Sequence, residues 1–207
     1  MKTKGINFIS SSGVFMKNYL YDHWAESTLV IAITVSIMLM SFINCMTWYL
    51  FLVWMQFPFY LVHEFEEHVY PGKFKTFFNQ IILDSNRIDF PLSTANVFWI
   101  NILAIWFLFP IVALLTQHIS PIYGVLLPMV SILNASLHII FAIVKRKYNP
   151  GLLTSIFLLY PTSIYTFYIL YQSHLLQWAN TVYSFLFAFL AHALIVVLVL
   201  RKYLRYR

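Results

Sequence analysis

Five stretches of the chain, 28–62, 93–116, 121–144, 151–171 and 176–200, contain no Asp, Glu, Lys or Arg. Each is long enough to cross the roughly 30 Å hydrocarbon layer of a bilayer as a helix of about 20 residues. In lipid, backbone N–H and C=O groups must be satisfied internally, which favours helices for segments of this kind. Composition points the same way, with 61% hydrophobic and only 10% charged residues and a mean hydropathy of +0.76. The expectation is an all-α polytopic transmembrane bundle of about five spans, forming a single domain over 28–207 after an interfacial lead-in at 1–27. Tyr19, Tyr21 and Trp24 in that lead-in suit the membrane–water boundary. Met1–Ser27 lacks the compact apolar core and small-residue cleavage site of a signal peptide.

The run Thr28–Val62 is too long for one ordinary span and short for two. It also lacks the Gly or Pro punctuation of a tight hairpin, with Ser41 and Asn44 the only candidates. It reads as one long or kinked helix; a re-entrant or two-helix arrangement, the latter giving six spans, is the alternative. The spans after it are separated by a loop at 71–93, the polar break Gln117–Pro121, the basic Lys145-Arg146-Lys147 with Tyr148–Gly151, and Gln172–Leu175.

The net charge of +6 is a topology signal here, not a nucleic-acid surface. Lys145–Lys147 and Arg201, Lys202, Arg205 and Arg207 mark the cytoplasmic side of a cell-membrane protein, while the links at 117–121 and 172–175 hold no Lys or Arg. Five spans place the C-terminus inside and the N-terminus outside. Lys2, Lys4 and Lys17 argue against the latter, and a sixth span removes the conflict. Cys45, the sole cysteine, excludes an internal disulfide and reads as packing.

The first long run ends in His63-Glu64-Phe65-Glu66-Glu67-His68. At about 100° per residue, His63, Glu66 and Glu67 share one helical face, whereas Glu64 and His68 turn away as an i,i+4 pair. Asn134 and His138, four apart, lie roughly 15 and 9 Å from the basic end of their span at about 1.5 Å per residue. Tyr148, Asn149 and His192 fall at the same depth, as do Asn96 and Asn101. Polar groups inside hydrocarbon are costly and normally face the bundle interior, so they are expected to converge.

His63-x-x-Glu66-Glu67, Asn134-x-x-x-His138 and Tyr148-x-Pro150-Gly151, in this order, resemble the HXXEE family over roughly residues 44–205. The resemblance implies that these are motif positions of a membrane protein suggested to be an enzyme; it supplies no reaction. By residue chemistry, His63, Glu66, Glu67 and His138, with His192 as a further ligand, can hold a divalent metal such as Zn or Fe. Asn134 and Tyr148 are candidate positioning or catalytic groups. The substrate expected for a site at this depth is lipid-like or an apolar small molecule. The same residues also allow metal-free acid–base isomerisation, or a non-catalytic polar cluster that locks helices together.

Overall fold

The computed structural model describes residues 8–206, with side chains from Met16 onward; Lys2, Lys4, Arg207 and the first seven residues of the lead-in lie outside them. Helix α1 (Phe8–His23) continues through a 3-10 turn at Trp24–Ser27 into α2 (Thr28–Ser41). Then come α3 (Trp48–His68), α4 (Thr94–His118), α5 (Pro121–Lys145), α6 (Leu152–Gln172) and α7 (Trp178–Arg205). No strand occurs among the described residues. Five helical runs are long and apolar enough to cross a membrane: Met16–Ser41, α4, α5, α6 and α7.

The single helix expected over Thr28–Val62 is corrected by a break. The chain leaves α2 at Phe42, makes a 3-10 turn at Ile43–Cys45, and extends through Met46 and Thr47 (φ −136° and −69°) before α3. No Gly or Pro is used. Two membrane-length helices fit because the first begins at Met16, drawing on residues that the sequence reading assigned to the lead-in. At 21 residues, α3 is about 31 Å long. It falls outside the apolar set, and its surroundings explain why this is tolerated: most residues from Leu50 to Glu67 are buried by neighbouring helices.

Val53, Phe57 and Leu61 of α3 pack against Phe109 and Val112 of α4, Leu127 and Ala135 of α5, and Leu159 of α6. The outer faces keep large apolar side chains exposed, among them Ile37, Leu103, Phe157 and Leu198, as lipid contact requires. Ser93 and Asn96 form a capping box that starts α4, and Arg146 ends α5 in the left-handed region at φ +50°. Pro110 and Pro161 each follow a π-helical stretch, at Ile102–Phe107 and Ser155–Leu159. A proline ring collides with the carbonyl four residues back, here Trp106 and Phe157. Both carbonyls lie inside the wider π turns, which relieve the clash.

From α2 onward, successive helices alternate in direction. The 3-10 turn before α2 meets the end of α3 through the Trp24 and His68 rings, 5.4 Å apart. The end of α7 meets the start of α4, where Lys202 Nζ donates to Asn96 Oδ1 at 3.4 Å. The Lys and Arg side chains of the described residues (Lys17, those between 73 and 87, those of 145–147 and those of 201–205) therefore gather at one end. The links at 42–47, 119–120 and 173–177 carry none. At the basic end the buried Asn79 ties down the 69–93 loop, donating to Ile88 O and Leu92 O and accepting from Leu92 N.

Candidate metal centre

The ionisable end of α3 is buried where α5 and the start of α6 cross it. His63 is 0% exposed, His138 1% and Glu67 6%. The spacing of four residues stacks His63 over Glu67 on α3 and Asn134 over His138 on α5. Glu67 Oε1 stands 3.1 Å from His138 Nε2, and Glu67 Oε2 stands 3.8 Å from His63 Nε2. One potential ligand atom from each of His63, Glu67 and His138 lies within 4.8 Å of the others. The two imidazoles meet edge to face with centroids 4.9 Å apart.

Proton positions follow from the hydrogen-bond network. Thr154 Oγ1 donates its single hydrogen to Glu66 Oε2 at 2.5 Å. It therefore accepts from His63 Nδ1–H at 2.8 Å. Asn149 Nδ2 donates to the His138 carbonyl at 2.9 Å, which turns Asn149 Oδ1 toward His138 Nδ1–H at 2.6 Å. Both rings thus carry hydrogen on Nδ1 and place Nε2 on the side of the Glu67 carboxylate. Fixing the outer ring nitrogen in this way is how metal-binding imidazoles are oriented. Asn134 Nδ2 donates to His63 Nε2 at 2.9 Å. His138 Nε2 and Glu67 Oε1 are two acceptors at hydrogen-bond distance, so positive charge is required between them, as a proton or a metal cation.

Glu66 sits beside this group but does other work. Its carboxylate accepts from Leu153 N (3.0 Å), Thr154 N (2.7 Å), Thr154 Oγ1 and Tyr148 OH (2.7 Å). Leu153 and Thr154 are in the first turn of α6, so Glu66 caps that helix from a different helix, placing negative charge at its positive end. Partial burial, followed by donation to Glu66, raises the Tyr148 hydroxyl above its ordinary pKa and keeps it a donor. Gly151 precedes that turn at φ +95°, and its backbone lies directly over the site. A Cβ there would come within 2.6 Å of His138 Cε1 and 2.8 Å of His63 Cε1.

Of the residues singled out by sequence, His63, Glu67 and His138 are therefore brought together, with Asn134 on His63. Glu66 and Tyr148 bond each other and α6, outside the ligand group. His192 is also outside it: its Nδ1–H donates to Ala188 O at 2.7 Å, and the ring lines a cavity that reaches Glu67 and His138. The expected Glu64–His68 pair is corrected. Glu64 Oε2 accepts from Trp106 Nε1 at 3.0 Å, while His68 Nε2 lies 3.5 Å from Glu67 Oε2 and accepts from Asn101 Nδ2 at 3.3 Å. His68, the last residue of α3, thus faces the edge of the site. Asn149 was expected at this depth without an assigned role, and Thr154, in the turn that follows the Tyr148–Gly151 motif, was not singled out.

The fold and this cluster define a multi-pass, all-helical membrane protein with a buried His/Glu centre at its basic end. Residues 54–166, more than half of the chain, match the family described as "Protein of unknown function with HXXEE motif", and the chain belongs to that family. No curated protein and no solved structure matches it.

Proposed function

We propose that this chain is a membrane-embedded metalloenzyme in which His63, Glu67 and His138 hold one divalent cation. The observation that carries the reading is the pair of imidazoles locked with Nδ1–H outward and Nε2 converging on one carboxylate. Around a zinc ion at about 2.0–2.2 Å, tetrahedral ligands stand roughly 3.3 Å apart. The 3.1 and 3.8 Å separations, to the two oxygens of Glu67, and the 4.8 Å within which all three ligand atoms lie, are near that spacing and reach it with small side-chain shifts. Two His and one Glu leave a fourth position open, the arrangement of catalytic rather than structural zinc. Such an ion, zinc or iron, would supply Lewis acidity to a carbonyl or to water, which favours hydrolysis as the reaction.

The protein's own groups prepare the centre. Thr154 and Asn149 hold the two tautomers, Glu66 holds Thr154 and the start of α6, and Gly151 lets the backbone cover the site. Tyr60 and Phe74 wall it, with ring centroids 5.4 Å from His63 and 5.1 Å from His138. The positive-inside rule puts the basic end, and with it the site and both termini, on the cytoplasmic side of the cell membrane. The substrate is lipid-like or apolar.

The Asn134–His63 bond favours a second reading. It satisfies the His63 lone pair without a metal, leaving His138 and Glu67 to share a proton for acid–base isomerisation. Elemental analysis of the purified, detergent-solubilised protein separates the two. The metalloenzyme predicts close to one zinc or iron per chain, lost in Glu67→Gln. Metal-free protein that keeps its fold supports the second reading.

A further inference from the structure

The cavity that ends at the His/Glu centre opens between α4 and α7. At the basic end these helices meet, with Lys202 on Asn96 and Val199 packed among Val97 and Phe98. Deeper in the bundle, α7 leans on α5, and a cavity of about 190 Å³ separates it from α4. Ala104, Ile105 and Leu108 of α4 face Ala191, Ile195 and Val196 of α7 across it. Its polar floor is Glu67, His68, His138, Asn101, Asn134 and His192. Among the described residues lining it there is no Lys or Arg.

A second, more polar cavity lies on the basic side of His68. It is bordered by Asp22, Glu26, Lys73, Lys75 and Thr94, and shares His68, Phe74 and Val97 with the first. The centre therefore has an apolar approach at membrane depth, and His68, Phe74 and Val97 stand between that approach and the polar cavity at the interface. An apolar approach with a polar floor matches a molecule whose chain lies in the hydrocarbon and whose reacting group sits at the floor.

Volume and charge narrow the class. A cavity of 190 Å³ is below the roughly 300–1,000 Å³ of sites that enclose drug-sized ligands, so it is filled by the end segment of a single chain. A phosphate brings a charge of about −1.5 to −2 at pH 7. Glu67 offsets one charge of a divalent cation, and no basic side chain lines the floor to neutralise the remainder. Asp22 and Glu26 border the second cavity along with Lys73 and Lys75, and Lys75 is committed to Asp89 and Thr94.

We infer that the site takes an uncharged single-chain amphiphile from the bilayer, one apolar chain ending in an ester or amide carbonyl, through the opening between α4 and α7. This rests on the metal-centre reading for the chemistry, but the binding route can be tested without it. The probe is a monoacylglycerol bearing a diazirine in mid-chain and a terminal alkyne, photolysed with the purified full chain in detergent, the labelled peptides being mapped by mass spectrometry. A lysophosphatidate with the same chain serves as the anionic comparison.

The expected labels fall on cavity residues of α4 and α7, at least tenfold more with the neutral probe than with the anionic one. Ala191→Trp and Ala104→Phe, which fill the cavity from opposite walls, each cut labelling at least fivefold while metal content is unchanged. The wild-type peptide map decides the matter even where a variant fails to fold. Labels confined to lipid-facing positions such as Leu194 and Leu198, equal labelling by the phosphate probe, or folded variants that label like wild type would overturn the inference. Metal-free wild type that still labels in the cavity overturns only the metal-centre reading. Metal-loaded protein that is not labelled there overturns only this one.

Discussion

Replacing Glu66 by Gln separates the two carboxylates that adjoin in sequence. Glu66 accepts two backbone N–H groups in the first turn of α6 and two hydroxyls, at 2.5 to 3.0 Å. Gln presents one acceptor oxygen where Glu presents two, and turns an NH₂ group against a donor. Losing a helix cap costs about 0.5–2 kcal/mol. Removing negative charge from a partly buried helix N-terminus costs up to about 2 kcal/mol more. A backbone N–H left without its acceptor adds about 1–3 kcal/mol, with overlap among these contributions. The expected loss is about 3 kcal/mol, roughly 150-fold in the folding equilibrium. Titration of the detergent-solubilised protein with sodium dodecyl sulfate, followed by tryptophan fluorescence, measures it. Metal content at saturating zinc should stay near wild type, because Glu66 is not among the ligands. A Glu66→Gln protein of wild-type stability that has lost its metal would refute the assignment of Glu66 to α6.

Thr154→Val and Asn149→Ala leave all three ligands in place but release the ring tautomers; each should weaken metal affinity about 10–100-fold in competition with a chelator, and unchanged affinity would dismiss the orienting role. Gly151→Ala forces a Cβ against His138 and His63 at a positive φ, and should both lower the melting temperature and abolish metal binding, whereas a metal-replete, wild-type-like variant would show that the backbone does not press on the site. Cys45 is exposed in the link opposite the basic end, so a membrane-impermeant maleimide should label it from outside intact cells. Labelling of Cys45 from the cytoplasmic side alone would invert the topology.

Much of the fold is legible in the sequence because lipid imposes a simple rule: uncharged runs become helices, and the basic segments mark one end. The first hairpin was legible only as the alternative to a single helix. Its turn uses Phe42 to Thr47 with no Gly or Pro, and the span before it borrows Met16–Ser27, whose polar and aromatic residues read as interfacial. The site was legible as a depth coincidence, since His63 and Glu67 on α3 and His138 on α5 stand at one level. Glu66 and Glu67 could not be told apart, being about 100° apart on the same side of α3. What divides them is where the first turn of α6 lands, a tertiary fact set more than 80 residues later. His192 has the expected depth, but its ring bonds its own helix at Ala188. Thr154 carries no signal of its own, since a threonine in the first turn of a helix is ordinary.

The most direct test of the central claim is anomalous scattering from crystals of the purified protein, measured at the zinc and iron absorption edges. The metal-centre account predicts one peak per chain, about 2 Å from His63 Nε2, His138 Nε2 and a Glu67 carboxylate oxygen, absent in Glu67→Gln crystals. A peak elsewhere in the bundle, or none at either edge with His138 hydrogen-bonded directly to Glu67, would contradict it.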